Sequence, residues 1–318
     1  MDGNDTPLTE LISTFIAHKR ALGCKYLLQE QILSRFSRYC EAEQPLSEYK
    51  IPRHFVDDWC AIKKNETVRN SDIKKCCLTV FFKYAQNKGW EVDFPAIGRH
   101  HESQYVPYIF TNGEIARIFQ ACDNLSPYPG SHRHHIVPVV FRLLYGCGLR
   151  ESEVCALRVG DVNGKRGILN INESKFGKSR IVPVSSSLLN VLMGYFFRFN
   201  AEQAPSNPFF RSKFLNPISR GWVYRRFRDI LAIAGIGHHG KGVGPRVHDL
   251  RHTFCVHSMQ KMVANGQDLY CALPKLATYV GHASTHATQR YVRLAADQFG
   301  AVTQQISGSC GQAIPEVK

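Results

Sequence analysis

The chain has 318 residues, of which 44% are hydrophobic and 21% charged, a composition typical of a soluble protein with room for two domains. No apolar run approaches the roughly 18 residues of a membrane span, and residues 1–10 are polar and acidic, so we expect neither a membrane partner nor a secretory signal. The 11 cysteines lack a CxxC pair, which predicts small buried thiols in a cytoplasmic protein rather than a disulfide framework.

The formal net charge of +14 favours a polyanionic partner. This charge is uneven along the chain, because residues 1–100 carry a balance of only +2 and residues 101–318 carry +12. A generally basic surface would spread the excess evenly, so the asymmetry favours a binding face in the later two-thirds. Charge alone does not distinguish DNA, RNA or an anionic membrane.

Residues 1–95 show the apolar periodicity of four helices. Aromatic and aliphatic side chains recur three and four positions apart, and Gly23 and Gly89 follow two of the stripes as stop signals. The stripes predict a helical domain with its own core. Its polar faces carry five cations that could meet phosphates, although a solvated surface explains each of them equally well: Lys63, Lys64, Arg69, Lys74 and Lys75.

A boundary follows this first domain. Residues 96–110 lack a clear period and contain glycine and proline, as expected of a linker. Thr111 and Glu114 then have the spacing of a capping box, which predicts the start of a helix and of a second domain over residues 111–300. We expect residues 301–318 to form a C-terminal tail.

The second domain is predicted to be mainly helical with one small β-hairpin. An apolar helix spans Val137 to Tyr145, and two short β-branched runs, 168–171 and 181–184, flank a polar loop that contains Gly177. The helical period then returns over residues 186–199, 219–234, 247–263, 268–280 and 284–295, with a glycine-rich loop from Gly235 to Pro245. The expected fold class is mainly α with a small β-sheet.

Four short patterns carry reactive side chains, and each is weak alone. An arginine beside two acids is commonly a surface ion pair. A lysine at a hairpin tip is commonly solvated, and a tyrosine nine residues after a histidine is commonly a packed helix residue. The patterns are Gly148-Leu149-Arg150-Glu151-Ser152-Glu153, the hairpin loop with Lys175, His248-Asp249-Leu250-Arg251-His252, and Gly281-His282 followed by Tyr291.

Together these residue types suit the cleavage of a phosphodiester by a side-chain nucleophile. Such a reaction needs an attacking oxygen, cations on the non-bridging oxygens and an acid for the leaving oxygen. Guanidinium groups bind phosphate through two parallel hydrogen bonds and keep their charge, so two arginines can stabilise the transition state without a metal. Lysine or histidine can supply the proton. A tyrosine hydroxyl becomes a useful nucleophile when cations nearby favour its anion.

The order Arg, Lys, His-x-x-Arg, His, Tyr resembles that of the tyrosine recombinase, or phage-type integrase, superfamily, which includes Xer resolvases and transposon integrases. Leu157 and Asp161 extend the match of the first arginine box. The resemblance is strong over about residues 107–295 and covers residues 1–95 only as a helical domain of suitable size. The matching strings are the first arginine box above, Ser174-Lys175-Phe176-Gly177-Lys178-Ser179-Arg180-Ile181-Val182-Pro183, His248-Asp249-Leu250-Arg251-His252-Thr253-Phe254, and Val280-Gly281-His282-Ala283-Ser284 through Thr288-Gln289-Arg290-Tyr291.

This resemblance implies a role for each of six residues. Arg150 and Arg251 would hold the scissile phosphate, and His282 would hydrogen-bond it. Tyr291 would be the nucleophile, with His248 assisting its proton transfer. Lys175 would protonate the leaving 5′-oxygen. Glu153 and Asp161 are expected to support the first box, and His252 to pack against His248, which lies one turn away.

The resemblance also implies the architecture and partners. It predicts a helical SAM-like core-binding domain and a mixed α/β catalytic domain that close as a C-shaped clamp on double-stranded DNA. Four protomers would join two duplexes, strands would be exchanged through 3′-phosphotyrosine links, and accessory recombinases could take part; no metal or nucleotide cofactor is implied. The 31 positions from Arg251 to His282 exceed the Xer pattern and favour an integrase of a mobile element.

Two other classes of function fit parts of the sequence. His248 and His252 have the i, i+4 spacing of a zinc-binding helix, but Asp249 stands where a metallohydrolase has its general-base glutamate, and no third ligand is indicated. A DNA-binding protein that has lost catalysis would keep the fold, but here all six catalytic positions are filled. Formation of a covalent protein–DNA product distinguishes an enzyme from such a binding protein.

Overall fold

The computed structural model describes residues 7–43, 49–64, 66–96, 106–172, 179–212, 216–240 and 243–282. These residues form eleven α-helices and five short strands, so the mainly helical fold class with a small sheet is confirmed. The chain divides into two compact units, Met1–Gln104 and Tyr105–Lys318, which we call the first and second units. In the described ranges, no helix is both long and apolar enough to cross a membrane.

The first unit contains the four predicted helices. They pack around rings that meet edge-on or tilted, with Phe15 and Phe81 centroids 5.4 Å apart. Leu33, Phe36 and Phe82 are fully buried in the same core. The helices are α1 (Pro7–Ala21), α2 (Leu27–Glu43), α3 (Arg53–Cys60) and α4 (Val68–Gln86).

Two strands of the first unit were not predicted. β1 (Lys50–Ile51) pairs in parallel with β2 (Glu91–Val92), and the Glu91 amide donates to the Tyr49 carbonyl over 2.7 Å. Strands of two residues are too short to show an alternating pattern, so their pairing depends on the tertiary packing.

Lys74, one of the five candidate phosphate contacts, is engaged in hydrogen bonds within the first unit. The Lys74 ammonium donates to the Trp59 carbonyl over 2.9 Å and to the Glu66 carboxylate over 2.8 Å. Its side chain is only 12% exposed and lies 5.6 Å from the centre of the Trp59 ring. Lys74 therefore stabilises the approach to α4, which begins at Val68, rather than presenting an exposed cation.

The second unit begins with the predicted capping box. The Glu114 amide donates to the Thr111 hydroxyl over 3.2 Å, and the Thr111 amide donates to the Glu114 carboxylate over 2.8 Å. This arrangement satisfies two amides at the start of the helix and fixes where it begins. The helices of the unit are α5 (Asn112–Asp123), α6 (Arg133–Gly146), α7 (Glu151–Ala156), α8 (Ser186–Phe199), α9 (Arg220–Ile233), α10 (Val247–Ala264) and α11 (Leu269–Val280).

An antiparallel sheet lies between α7 and α8 in the chain. β4 (Ile168–Ile171) and β5 (Arg180–Pro183) form the predicted hairpin, with Leu169 opposite Val182 and both side chains fully buried. A third strand, β3 (Val162–Asn163), pairs with β4 and was not predicted. The hairpin tip with Lys175 lies outside the described residues, as do the predicted helix over 284–295 and the tail.

The cysteines follow the sequence prediction only in part. All ten of those described are thiols without a disulfide, and six are buried. Cys24, Cys76 and Cys271 are exposed, so the expectation of uniformly buried thiols is wrong at these positions. They lie on helix surfaces or in turns, where a small side chain has no core to enter.

Candidate active site

The first predicted arginine stands at the start of α7. The preceding turn is formed by Gly148, whose φ of +56° is a conformation that favours glycine. The Arg150 amide donates to the Glu153 carboxylate over 2.9 Å, and its guanidinium donates to the same carboxylate over 2.7 Å. Arg150 is therefore held from both its main chain and its side chain, while 17% of the side chain remains exposed.

The second predicted arginine is buried inside the unit. Arg251 lies on the first turns of α10 with only 1% of its surface exposed. Its guanidinium donates to the Gly148 carbonyl over 2.5 Å and to the Val280 carbonyl over 2.6 Å. A buried cation is tolerated only when hydrogen bonds replace its water, and these two carbonyls do so. Arg251 thereby joins the turn before α7 to the end of α11.

The end of α11 brings the two arginines together. Gly281 ends the helix in the left-handed conformation, with φ of +70°, and the His282 amide donates back to the Ala277 carbonyl over 2.9 Å. The Gly281 carbonyl accepts a hydrogen bond from Arg150 over 2.7 Å, one residue after the carbonyl bound by Arg251. Two guanidinium groups that are far apart in sequence thus meet at one helix end.

Two histidines complete the described part of the site. His248 reaches the surface, but protein packed around its ring, together with the charges of Arg251 and Arg150, lowers the pKa of His248 to about 4. Burial and the same two arginines lower the pKa of the half-buried His282 to about 4. Both imidazoles are therefore neutral at pH 7, so each has one N–H donor and one ring nitrogen that accepts.

A carboxylate joins the first arginine to the sheet. Glu153 is 6% exposed and binds Arg180 through two hydrogen bonds, of 2.8 and 2.9 Å. Burial alone would raise the pKa of Glu153, but the hydrogen bonds from Arg180 and Arg150 bring it down to about 2. This acid is ionised at all ordinary pH values and acts as a fixed negative charge.

The comparisons with known proteins agree with this geometry. Residues 109–298, more than half of the chain, match the phage integrase family. The chain belongs to this family. The tyrosine recombinase XerA of Pyrococcus furiosus is 30% identical over 237 residues, which cover 73% of this chain and 72% of that protein. An integrase/recombinase of Sinorhizobium fredii is 27% identical over 293 residues, covering 89% and 91%.

Solved structures of tyrosine recombinases share the fold. XerH bound to palindromic difH substrate in a post-cleavage complex has a TM-score of 0.63 at 15% identity, covering 86% of this chain and 78% of that one. A lambda integrase dimer bound to a COC′ core site has a TM-score of 0.60 at 17% identity, covering 89% and 76%. The chain is a site-specific recombinase of the tyrosine type, an enzyme that cleaves and rejoins DNA strands.

Four of the six predicted catalytic residues of this recombinase are described, and they meet in one place. Arg150 and Arg251 bind the carbonyls of the two residues before His282, and His248 lies one turn before Arg251 on α10. Lys175 and Tyr291 lie outside the described residues, so their positions remain predictions.

The expected supporting residues make supporting contacts. Asp161 accepts from the Arg158 amide over 2.8 Å and from the Asn172 side chain over 2.7 Å, which ties the end of the first box to β4. The His252 ring packs perpendicular to that of His248, with centroids 4.7 Å apart. These contacts fix the elements that carry the site.

Sequence reasoning assigned no role to Arg180, although it lies within the quoted lysine box. Its guanidinium binds Glu153 and also donates to the Tyr279 carbonyl over 3.0 Å. The signal that could have identified it is an arginine at the first position of a strand whose other three residues are all apolar.

The metallohydrolase alternative gains no support from the described ranges, which contain no group of three or more His, Cys, Asp or Glu side chains placed to hold a metal ion. His248 and His252 contact each other edge to face rather than converging with a third ligand.

Proposed function

We propose that this recombinase holds the scissile phosphate of double-stranded DNA between Arg150 and Arg251 and cleaves it with Tyr291. The observation that carries the proposal is the turn at Val280–Gly281, whose successive carbonyls accept from both guanidinium groups. A guanidinium is planar, keeps its charge at any ordinary pH and binds phosphate oxygens through paired N–H donors, so two of them suit the binding of one phosphate. A phosphate between two arginines has its developing charge stabilised without rearrangement of the site.

The proposed chemistry is a transfer of the phosphoryl group from one oxygen to another. The Tyr291 oxygen attacks phosphorus, the bond from phosphorus to the 5′-oxygen breaks, and the DNA 3′ end remains linked to tyrosine. The tyrosine proton passes to His248, and Lys175 protonates the leaving 5′-oxygen. Rejoining is the same reaction in reverse, with a 5′-hydroxyl of the partner strand as nucleophile.

The low pKa of each histidine supports these roles. A neutral His248 has a ring nitrogen able to accept the tyrosine proton, and it loses that ability when protonated. A neutral His282 still donates one N–H to a phosphate oxygen. The bound phosphate, being anionic, would favour the protonated form of both rings and so aid proton uptake as the reaction begins.

DNA as the partner is supported by the balance of +12 over residues 101–318 and by the related Tn1549 integrase structure, which is a complex with a circular intermediate DNA. We further propose a homotetramer on two duplexes and integration or excision of a mobile element. The transposon integrase of Tn1549, at TM-score 0.60 and 15% identity, shares the fold. The long spacing between Arg251 and His282 falls on the end of α10 and the start of α11, away from the catalytic side chains.

A nicked suicide substrate tests the proposal. Its cleavage releases a short fragment that diffuses away, so a covalent adduct accumulates and is seen on a denaturing gel. Tyr291→Phe should abolish the adduct while leaving DNA affinity within a few-fold. Tyr270→Phe is the matched control, since Tyr270 is an 83% exposed tyrosine on α11 and should leave the adduct unchanged. An adduct that persists in Tyr291→Phe excludes Tyr291 as the nucleophile.

The role of Lys175 has a separate test. Removing a general acid slows cleavage by a factor of ~10²–10⁴. A 5′-bridging phosphorothioate has a sulfur leaving group that needs no proton, so Lys175→Ala should recover most of its rate on that substrate. Arg251→Ala should stay slow on both substrates, because its role is charge stabilisation. If Lys175→Ala is equally slow on both, the lysine is a phosphate clamp or a structural residue rather than the acid. If Lys175→Ala is fast on both, Lys175 is an ordinary solvated side chain and Lys178→Ala becomes the next variant to measure.

A further inference from the structure

Glu153 lies between two guanidinium groups that have different surroundings. Arg180 binds both carboxylate oxygens in a parallel fork, whereas the Arg150 guanidinium donates to one carboxylate oxygen over 2.7 Å and to the Gly281 carbonyl over 2.7 Å. The Arg180 side chain is 12% exposed and the Glu153 side chain 3%. One negative charge is therefore shared by two positive charges inside the protein.

It matters that Glu153 shares its charge between two arginines, because Arg150 is also proposed to bind the scissile phosphate. A carboxylate that faced Arg150 alone would form the fork with it and neutralise its charge, which would weaken the attraction of Arg150 for a phosphate. With Arg180 present, the three groups carry a net charge of +1. Arg180 provides the counter-charge for Glu153, and the charge of Arg150 remains directed to the site.

We propose that Arg180 is a positioning residue for strand cleavage: it neutralises Glu153, so that Glu153 orients Arg150 without cancelling its charge at the scissile phosphate. This inference rests on the proposed function, in which Arg150 binds that phosphate.

Arg180 also fixes the helix end that both catalytic arginines use. Its Nε donates to the Tyr279 carbonyl over 3.0 Å, and a Cβ added at Gly281 would lie 3.0 Å from the Arg180 Cδ. The Tyr279 hydroxyl donates to the Pro183 carbonyl over 2.9 Å, a second link between β5 and α11. Removing the Arg180 charge therefore leaves a contact that continues to hold the two elements together.

The test compares two forked arginines in the same unit. Arg142 binds Asp123 through hydrogen bonds of 2.8 and 2.7 Å, with its side chain 20% exposed, and has no contact with the site residues described above. Single-turnover cleavage of the nicked substrate at saturating DNA should fall about 10- to 100-fold in Arg180→Met, a loss typical of residues that orient charged ligands. Arg142→Met should stay within about threefold of wild type, and DNA affinity should change little in both variants.

A variant without the Glu153 charge shows whether Arg180 acts by neutralising that charge or only by supporting the structure. In Glu153→Gln/Arg180→Met, the amide oxygen can still accept from Arg150 but carries no charge that would cancel it. This double variant should cleave faster than Arg180→Met alone. If both substitutions were merely structural defects, the double variant would instead be slower. A double variant as slow as Arg180→Met, or slower, overturns the inference. Should Arg180→Met fail to fold, the double variant and Arg180→Lys carry the test, with Arg180→Lys slower than wild type but faster than the double variant.

A substrate with altered charge provides an independent readout. A methylphosphonate at the scissile position replaces one anionic oxygen with a methyl group, so less charge needs stabilising. The fold-loss caused by Arg180→Met should shrink on this substrate, whereas a purely structural defect gives the same fold-loss on both. Equal losses refute the inference. Failure of the proposed function itself would be distinct: the wild-type chain would form no adduct, or the adduct would survive Tyr291→Phe.

Discussion

The two units bury different kinds of side chain. Among the described residues, the polar side chains buried in the first unit are only the hydroxyls of Ser37 and Ser71. The second unit buries charges as well, notably Glu153, Asp249 and Arg251, at 6%, 0% and 1% exposure. Charged groups in the first unit pair mainly near the surface.

This difference separates packing from function. A buried ion pair contributes little net stability compared with apolar residues of the same volume, because removing two charges from water is costly. The first unit largely avoids that cost, since the least exposed ion pair described in it, Lys74 with Glu66, keeps 12% and 16% of the two side chains exposed. The second unit accepts this cost at the proposed phosphate site, so we expect substitutions to affect mainly stability in the first unit and mainly reaction rate at that site in the second.

The largest effect on stability is expected in the first core. Phe81 is fully buried against Phe15 and Phe82, so Phe81→Ala should lower the free energy of unfolding of this unit by about 3–5 kcal/mol. Native-state hydrogen exchange of the α4 amides measures it. Val80→Ala, at a neighbouring side chain that is 42% exposed, is the control and should cost well under about 1 kcal/mol. Equal losses at the two positions would contradict the packing assignment.

The largest effect on rate is expected at Arg251. Arg251→Met keeps an unbranched side chain but removes the charge and the hydrogen bonds to Gly148 and Val280. Single-turnover cleavage at saturating DNA should fall by ~10²–10³, the loss seen when one charge-stabilising donor is removed. Arg142→Met serves again as the control. A wild-type rate in Arg251→Met would remove the buried arginine from the proposed mechanism.

Acid should weaken the second unit through its histidines. The unfolded chain binds these protons near pH 6.5, whereas folding lowers the pKa of His248 and His282 to about 4. The contribution of the two neutral histidines to the free energy of unfolding is therefore fully present above pH 6.5 and is lost as the pH falls from 6.5 towards 4. The pKa of Glu153, at about 2, keeps that acid charged throughout this window. Urea midpoints at pH 7, 5.5 and 4.5 should fall in this order, and less steeply in His248→Gln/His282→Gln; an unchanged slope in the double variant would contradict the assignment.

The smallest effect is expected for a surface ion pair of the first unit. Arg20 and Glu30 are 2.6 Å apart, but their side chains are 45% and 38% exposed. Water screens such a pair, so Arg20→Gln should change the unfolding free energy by under about 1 kcal/mol. Chemical denaturation measures this change. A loss comparable to that of Phe81→Ala would overturn the contrast between the units.

The sequence predicted the helices and the main hairpin because each is long enough to show its period. The four helices of the first unit and α8 to α11 follow apolar stripes, and Thr111 with Glu114 marked the start of α5. The strands β1, β2 and β3 each have two residues, which is too few for any period, and they form only because tertiary packing brings their partners close.

The site was predictable in its residue types but not in how it is held. Ordered motifs indicated Arg150, His248, Arg251 and His282, and the structure brings all four together. The main-chain oxygens that bind the arginines have no sequence signature, since every residue carries one. The role of Arg180 was equally hidden, because a pairing between Glu153 and a strand residue 27 positions away depends on the folded sheet.

Three of the acceptors that hold Arg150 and Arg251 are backbone carbonyls, those of Gly148, Val280 and Gly281, and this limits which mutations can disturb the site. A mutation at Val280 exchanges the side chain but cannot delete the carbonyl that binds Arg251. Substitution of Gly148 or Gly281 would disturb the backbone, because both residues have positive φ. A Cβ at Gly148 would also lie 2.4 Å from the Phe254 ring. Side chains around these turns can therefore be exchanged more readily than the two glycines, which preserve the shape of the backbone.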